Sequence, residues 1–222
     1  YDAFGNKYND NWGMYNGKIL NLSENFYHKP QISLNDYWTI SPAAFLSTSA
    51  YVSFGSGGGK YTEAYNFGKQ SNQYRKNNQI DWDAVYLNNA TNSDSAQLAN
   101  GSHVKNYSIN ILTNYLASHV WTGLLSSLTW KANDKLKFVS GVHARYFKSH
   151  LREELADLMG GKNWIDDYTY SLAGVSGRNQ IKGIGDVVNV DNYSEVDVAS
   201  AFSQAEYTKG AWSVFAAASL SN

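Results

Sequence analysis

The 222-residue sequence contains no cysteine, two prolines, two methionines and a formal charge of only -1 at pH 7. The missing cysteines exclude disulfides, thiolate metal centres and cysteine nucleophiles, and are compatible with an oxidising compartment without proving one. Near-neutral charge, with a pI of about 6.6, leaves no basic field to hold a nucleic-acid backbone, so nucleic acid is excluded as a partner. No apolar run approaches the ~18 residues a membrane-spanning helix needs, and mean hydropathy is -0.46. That absence does not touch a transmembrane β-barrel, whose strands alternate lipid-facing and lumen-facing residues and read as half apolar. The chain opens at Tyr1 without a Met or a basic-then-apolar leader, which points to a mature or internal segment.

What is present favours β-structure with tight turns: Tyr 17, Phe 9 and Trp 7, with Gly 18. Three pairs of stretches carry period-two alternation, each pair joined by a short polar turn. The first runs 31–40 and 45–54, with Ile32, Leu34, Trp38 and Ile40 on one face, Asp36 the exception, and Ser41-Pro42-Ala43 as the turn. The second runs 119–130 and 136–147. Val120, Leu124, Leu128 and Trp130 share a face, followed by Leu136, Phe138, Val142, Ala144 and Tyr146, while Lys137, Gly141, His143 and Arg145 lie opposite. The third runs 196–207 and 212–220, where Trp212, Val214, Ala216, Ala218 and Leu220 form an unbroken apolar row. Strands of about ten residues suit a tilted crossing of a bilayer. Trp38, Trp130 and Trp212 fall at the turn-proximal ends, as an interfacial aromatic girdle requires.

Between the pairs lie long stretches, 55–118 and 148–195, that read as irregular, and short turns alternating with long loops are the organisation of outer-membrane barrels. Gly55 to Gly59 reads as a flexible exit from a strand. His150 to Met159 reads as a short helix with Leu151, Leu155 and Leu158 on one stripe and Gly160-Gly161 as its stop. Residues 1–27 read as the end of a preceding loop, rich in turn formers such as Asn16-Gly17. Six such strands cannot close a membrane barrel, for which about eight is the minimum, so further strands are expected from sequence beyond these residues or from other chains.

The run His28-Lys29-Pro30-Gln31-Ile32-Ser33-Leu34-Asn35-Asp36-Tyr37-Trp38, then Ala44 to Tyr51 and Gly55 to Gly59, resembles the mid-barrel of TonB-dependent receptors. The types it resembles are the SusC-like receptors and those with a carboxypeptidase-regulatory-like leader domain. Trp121 to Ser126, Gly141 to Tyr146 and Gln204 to Lys209 resemble the same region. The resemblance implies that all of 1–222 belongs to one transmembrane antiparallel β-barrel domain of about 22 strands. It also implies a bacterial outer-membrane location, contact with lipid, a plug and TonB-contacting parts outside this sequence, a surface lipoprotein lid, and uptake of a small nutrient. No plug or TonB-contact residue is assignable here.

Candidate chemistry is sparse. Gly55 to Gly59 before Lys60 departs from a phosphate loop at Phe54 and Tyr61. His150, Glu153 and Glu154 lack zinc-helix spacing, and Asp166, Asp167, Asp186 and Asp191 lack a calcium-loop pattern. Adjacent carboxylates such as Asp166 and Asp167 point apart on a strand and do not form a glycosidase pair. Nothing calls for an enzyme, a cofactor or a metal. Asp81-Trp82-Asp83 and Trp164-Ile165-Asp166-Asp167-Tyr168 pair aromatics with acids, chemistry that grips sugars or peptides, and His143 with Arg145 share a lumen face. The candidate ligand-binding residues are therefore Trp82, His143, Arg145, Trp164, Asp166 and Asp167. Two rivals are a secreted β-sandwich adhesin or carbohydrate-binding module, whose apolar faces need a second sheet, and a barrel subunit that transports nothing itself.

Overall fold

The computed structural model describes residues 8–167 and 179–222. In chain order the strands are β1 (Trp12–Tyr15), β2 (Lys18–Asn21), β3 (Glu24–His28), β4 (Gln31–Ser41), β5 (Ala44–Ala64), β6 (Arg75–Lys76), β7 (Gln79–Ile80), then helix α1 (Trp82–Ala90). There follow β8 (Ser95–Gln97), β9 (His103–Lys105), β10 (Asn110–Lys131), β11 (Leu136–Asp157), β12 (Trp164–Ile165), β13 (Ile181–Lys182), β14 (Val187–Lys209) and β15 (Trp212–Ser221). Seven strands form one sheet in the order β15-β14-β11-β10-β5-β3, with β4 also paired to β5. The fold is all-β, with the long antiparallel hairpins of a barrel-wall segment. The described residues divide into two compact units, 28–56, 118–150 and 193–222 forming one, and 8–27, 57–117, 151–167 and 179–192 the other.

In the first unit all six expected strands and their three turns are present. Leu34 pairs with Ala50 and Ile32 with Val52, while Ala201 pairs with Leu220 and Ala205 with Ala216. Since side chains alternate along a strand, each register puts apolar side chains on one face. That face is bare: Leu34 is 73% exposed, Trp38 61%, Trp212 79% and Leu220 79%. Its hydroxyls pair with each other across strands, Thr48 with Ser126 at 2.9 Å and Ser140 with Ser203 at 2.7 Å, so few polar groups on it are left to demand water. Asp36, opposite Thr48, is the acidic interruption. The tight turns lie side by side: Lys131 N donates to Ala43 O and Thr208 N to Lys135 O, both at 2.8 Å. Trp38, Trp130 and Trp212 sit on the apolar face near this row of turns, with Trp130 stacked on Phe138 at 5.5 Å.

The second unit and its borders correct four expectations. The long stretches are not irregular but build a core of their own, in which Ile80, Trp82, Val85, Leu112 and Met159 pack together, as do Ile111, Leu155, Trp164 and Val188. Gly55 to Gly59 does not leave a strand; it lies inside β5. These glycines mark close approach rather than flexibility: a Cβ on Gly58 would sit 2.6 Å from Tyr115 O, and one on Gly57 2.6 Å from Phe26 O. Residues 150–157 belong to β11, not to a helix. Leu151, Leu155 and Leu158 fit a helical stripe by count, but the alternation of the preceding strand runs on and buries Glu153 and Leu155 two residues apart. The turn follows at Met159 and Gly160, both at positive φ. Residues 12–28 are also strands, β1 and β2 joined at Asn16-Gly17 with φ +48 and +73, the geometry a two-residue hairpin turn demands.

Candidate functional site

Two surfaces gather the side chains with chemistry to offer. On the polar face of the first unit, Tyr51, Trp121 and Phe147 meet edge-on, Tyr51 to Trp121 at 6.3 Å and Trp121 to Phe147 at 6.1 Å. Arg145 lies 5.7 Å from the Trp121 ring centre, a cation–π distance, and its buried Nε has no acceptor. His143 stands one alternation away on the same strand face. This face also carries Ser33, Asn35, Ser47 and Ser49, which makes it the more polar side of the sheet.

The second unit holds a cavity of about 610 Å³, of the size that takes a small ligand. Its walls include Tyr65, Trp164, Ile165 and Val190, and its polar lining includes Glu63, Glu153, Asp167 and Asn189. Each is placed by a strand or a turn: Glu63 at the end of β5, Glu153 near the end of β11, Trp164 in β12 and Asn189 in β14 at φ +49. Glu153 is 4% exposed and accepts a hydrogen bond from Asn189 Nδ2 at 2.9 Å. Burial and, less strongly, the charge of Glu153 push the Glu63 carboxyl above its usual range. Burial also raises Asp167, against a lowering hydrogen bond from Tyr65, and Asp167 accepts Gln180 Nε2 at 3.0 Å. The Tyr65 hydroxyl is pushed up to about 12, first by burial and then by the adjacent Asp167 charge. Trp164 is 5% exposed, and its indole N–H has no acceptor. Among the described residues no Lys, Arg or His lines the cavity.

Of the residues singled out in the sequence, the structure brings Trp164 and Asp167 into this cavity. Trp82 is fully buried in the core and donates Nε1 to Leu20 O at 2.7 Å, so it has no surface to present to a ligand. Asp166 is also buried, its backbone N bonded to Gln180 O at 2.9 Å, and it does not line the cavity. Tyr168 lies outside the described residues. His143 and Arg145 belong to the polar sheet face instead. Glu63, Glu153, Asn189 and Tyr65 carry no motif; only reading 148–157 as a continued strand would have turned Glu153 inward.

These features define an all-β chain with one bare apolar sheet face, one polar face and an acidic, aromatic-walled cavity. Among solved structures, the ferric-catecholate import receptor Fiu from E. coli K12, in its open form, is similar at a TM-score of 0.41 and 12% sequence identity. The match covers 91% of this chain and 26% of that one, so the chain spans about a quarter of the receptor's length. No family model matches, and no curated protein does.

Proposed function

We propose that this chain is a wall-and-loop segment of a TonB-dependent outer-membrane transporter, importing a small nutrient such as a glycan, peptide or metal chelate. The observation that carries the reading is the sheet of the first unit, apolar and exposed on one face across all of its strands and polar on the other. In water, an uncovered face bearing Ile32, Leu34, Trp38, Trp212, Val214 and Leu220 at more than half exposure is an aggregation surface. In hydrocarbon it is the lipid-facing wall of a barrel, and the opposite face lines a wet interior. The row of short turns at one end, with Trp38, Trp130 and Trp212 beside it, matches the interfacial boundary of such a wall.

Lipid tolerates no open sheet edge, and β15 and β4 are edges here, so closure falls to strands beyond this segment. Transport then works by capture outside the cell and movement of a plug, with energy delivered through TonB by parts outside this sequence, and a lipoprotein lid is an additional partner of the SusC-like type. No covalent chemistry is involved. The test is extraction of the native protein from membranes followed by a gel-shift comparison of unheated and boiled samples. A heat-modifiable β-protein that needs detergent supports the reading. A monomer stable in plain buffer defeats it and favours a β-sandwich binding module, whose apolar face a second sheet would cover.

A further inference from the structure

We infer that the cavity between Glu63, Glu153, Tyr65 and Trp164 binds a ligand through a protonated amine, as a basic peptide would present. Glu153 is more than nine-tenths buried, yet among the described residues its side chain bonds only to the neutral amide of Asn189. Glu63 faces the same cavity, near enough to feel the Glu153 charge. Neither carboxyl, nor that of Asp167, makes an ion pair among the described residues, whose ion pairs lie elsewhere.

A buried carboxylate such as Glu153, without a counter-cation, is costly and is normally paired or metal-bound. No group of three or more acidic or histidine side chains among the described residues is arranged to hold a metal. An ammonium group answers the deficit directly, because it donates charge-assisted hydrogen bonds to both glutamates. A second, independent deficit is in the wall: the Trp164 indole N–H, within a residue 5% exposed, has no acceptor in the free protein. The apolar part of the ligand then lies along Tyr65, Trp164, Ile165 and Val190. An anionic ligand would add to three carboxyls in a cavity that no cation among the described residues lines. A neutral sugar would leave the Glu63–Glu153 charge as unbalanced as it is in the free protein.

As a statement about cargo this rests on the transporter reading; as a statement about binding it does not. Calorimetry on the full native protein in detergent, with trilysine, triglutamate, triglycine and maltotriose as probes, tests it. Trilysine is expected to bind and the other three to bind at least tenfold more weakly. Glu63→Gln and Glu153→Gln should each weaken trilysine about ten- to a hundredfold, the worth of a charge-assisted hydrogen bond. Glu206→Gln, on the other unit, should leave it unchanged. Asn189 can still donate to a glutamine carbonyl, and an unaltered heat-modification pattern certifies that each variant folds. Absence of trilysine binding, equal binding of maltotriose, or trilysine affinity indifferent to both Gln variants would overturn the inference. If the protein proves soluble without detergent but trilysine binds as described, the transport reading alone fails.

Discussion

Removing the side chain of Asn89 should loosen the second unit more than any other polar substitution there. Asn89 is 1% exposed on the last turn of α1. Its Oδ1 accepts Ile109 N at 2.9 Å and Asn110 N at 3.0 Å. Its Nδ2 donates to Asn110 O at 2.7 Å, Met159 O at 3.0 Å and Leu158 O at 3.1 Å. One amide thus ties the helix to the start of β10 and to the turn after β11. Asn89→Ala strips partners from two backbone donors and up to three carbonyls in a largely buried site. At about 1–3 kcal/mol for each buried group left unsatisfied, and with water able to reach some of them, the net loss is about 3 kcal/mol. Asn89→Asp should be no better, since it keeps the acceptor but turns a negative oxygen toward three carbonyls. Amide hydrogen exchange reads this locally: a loss of about 3 kcal/mol corresponds to ~100-fold faster exchange at Ile109 and Asn110 if they exchange through opening of this unit. Exchange in Asn89→Ala within threefold of the parent would refute the hub role.

Three further outcomes are expected. Leu34→Arg and Asn35→Arg sit on adjacent, opposite-facing positions of β4. If the apolar face meets lipid, the first should cost about 2–4 kcal/mol at mid-depth and the second little, read as the urea midpoint of refolding into vesicles. Equal effects would count against a lipid face. Gly58→Ala drives a Cβ to 2.6 Å from a backbone oxygen of β10, a clash that costs about 1–3 kcal/mol and should lower folding yield, whereas Gly101→Ala, whose Cβ position meets nothing within 4 Å but has φ +82, should show only the milder strain of a left-handed backbone. Spectrophotometric titration should show one tyrosine that ionises only near pH 12 lost in Tyr65→Phe. Because burial raises Tyr65 to about 12 in the fold, its share of stability is intact below about 10, the usual tyrosine value, and declines as pH rises toward 12. Full ionisation of every tyrosine near 10 in the folded protein contradicts that environment.

The six wall strands were legible because half of each strand is apolar and each pair ends in a short turn. Ile32, Leu34 and Trp38, or Trp212 through Leu220, need no tertiary information to be assigned to a face. The second unit was not legible, for a physical reason. Its glycines serve close packing inside β5, where composition alone suggests mobility, and its buried stripes include polar members. Helix α1 buries Trp82, Val85 and Asn89 while leaving Leu87 63% exposed, so its apolar pattern is broken by the residue that anchors it. The cavity followed the same rule: Trp164 and Asp167 stood out as an aromatic–acid pair, whereas Glu63 and Glu153 come from separate strands whose meeting only the register reveals.

The most direct test of the membrane-wall account places single cysteines along β15, in a segment that has no cysteine of its own, with any cysteine elsewhere in the protein replaced by serine. Nitroxide labels at 212, 214, 216, 218 and 220 in the vesicle-reconstituted native protein should be accessible to oxygen and shielded from a water-soluble nickel relaxer. Labels at 213, 215, 217 and 219 should show the reverse. Period-two alternation with that phase is the predicted result. Alternation lacking, or even-numbered labels immobilised and inaccessible to both relaxers as inside a protein core, would contradict it.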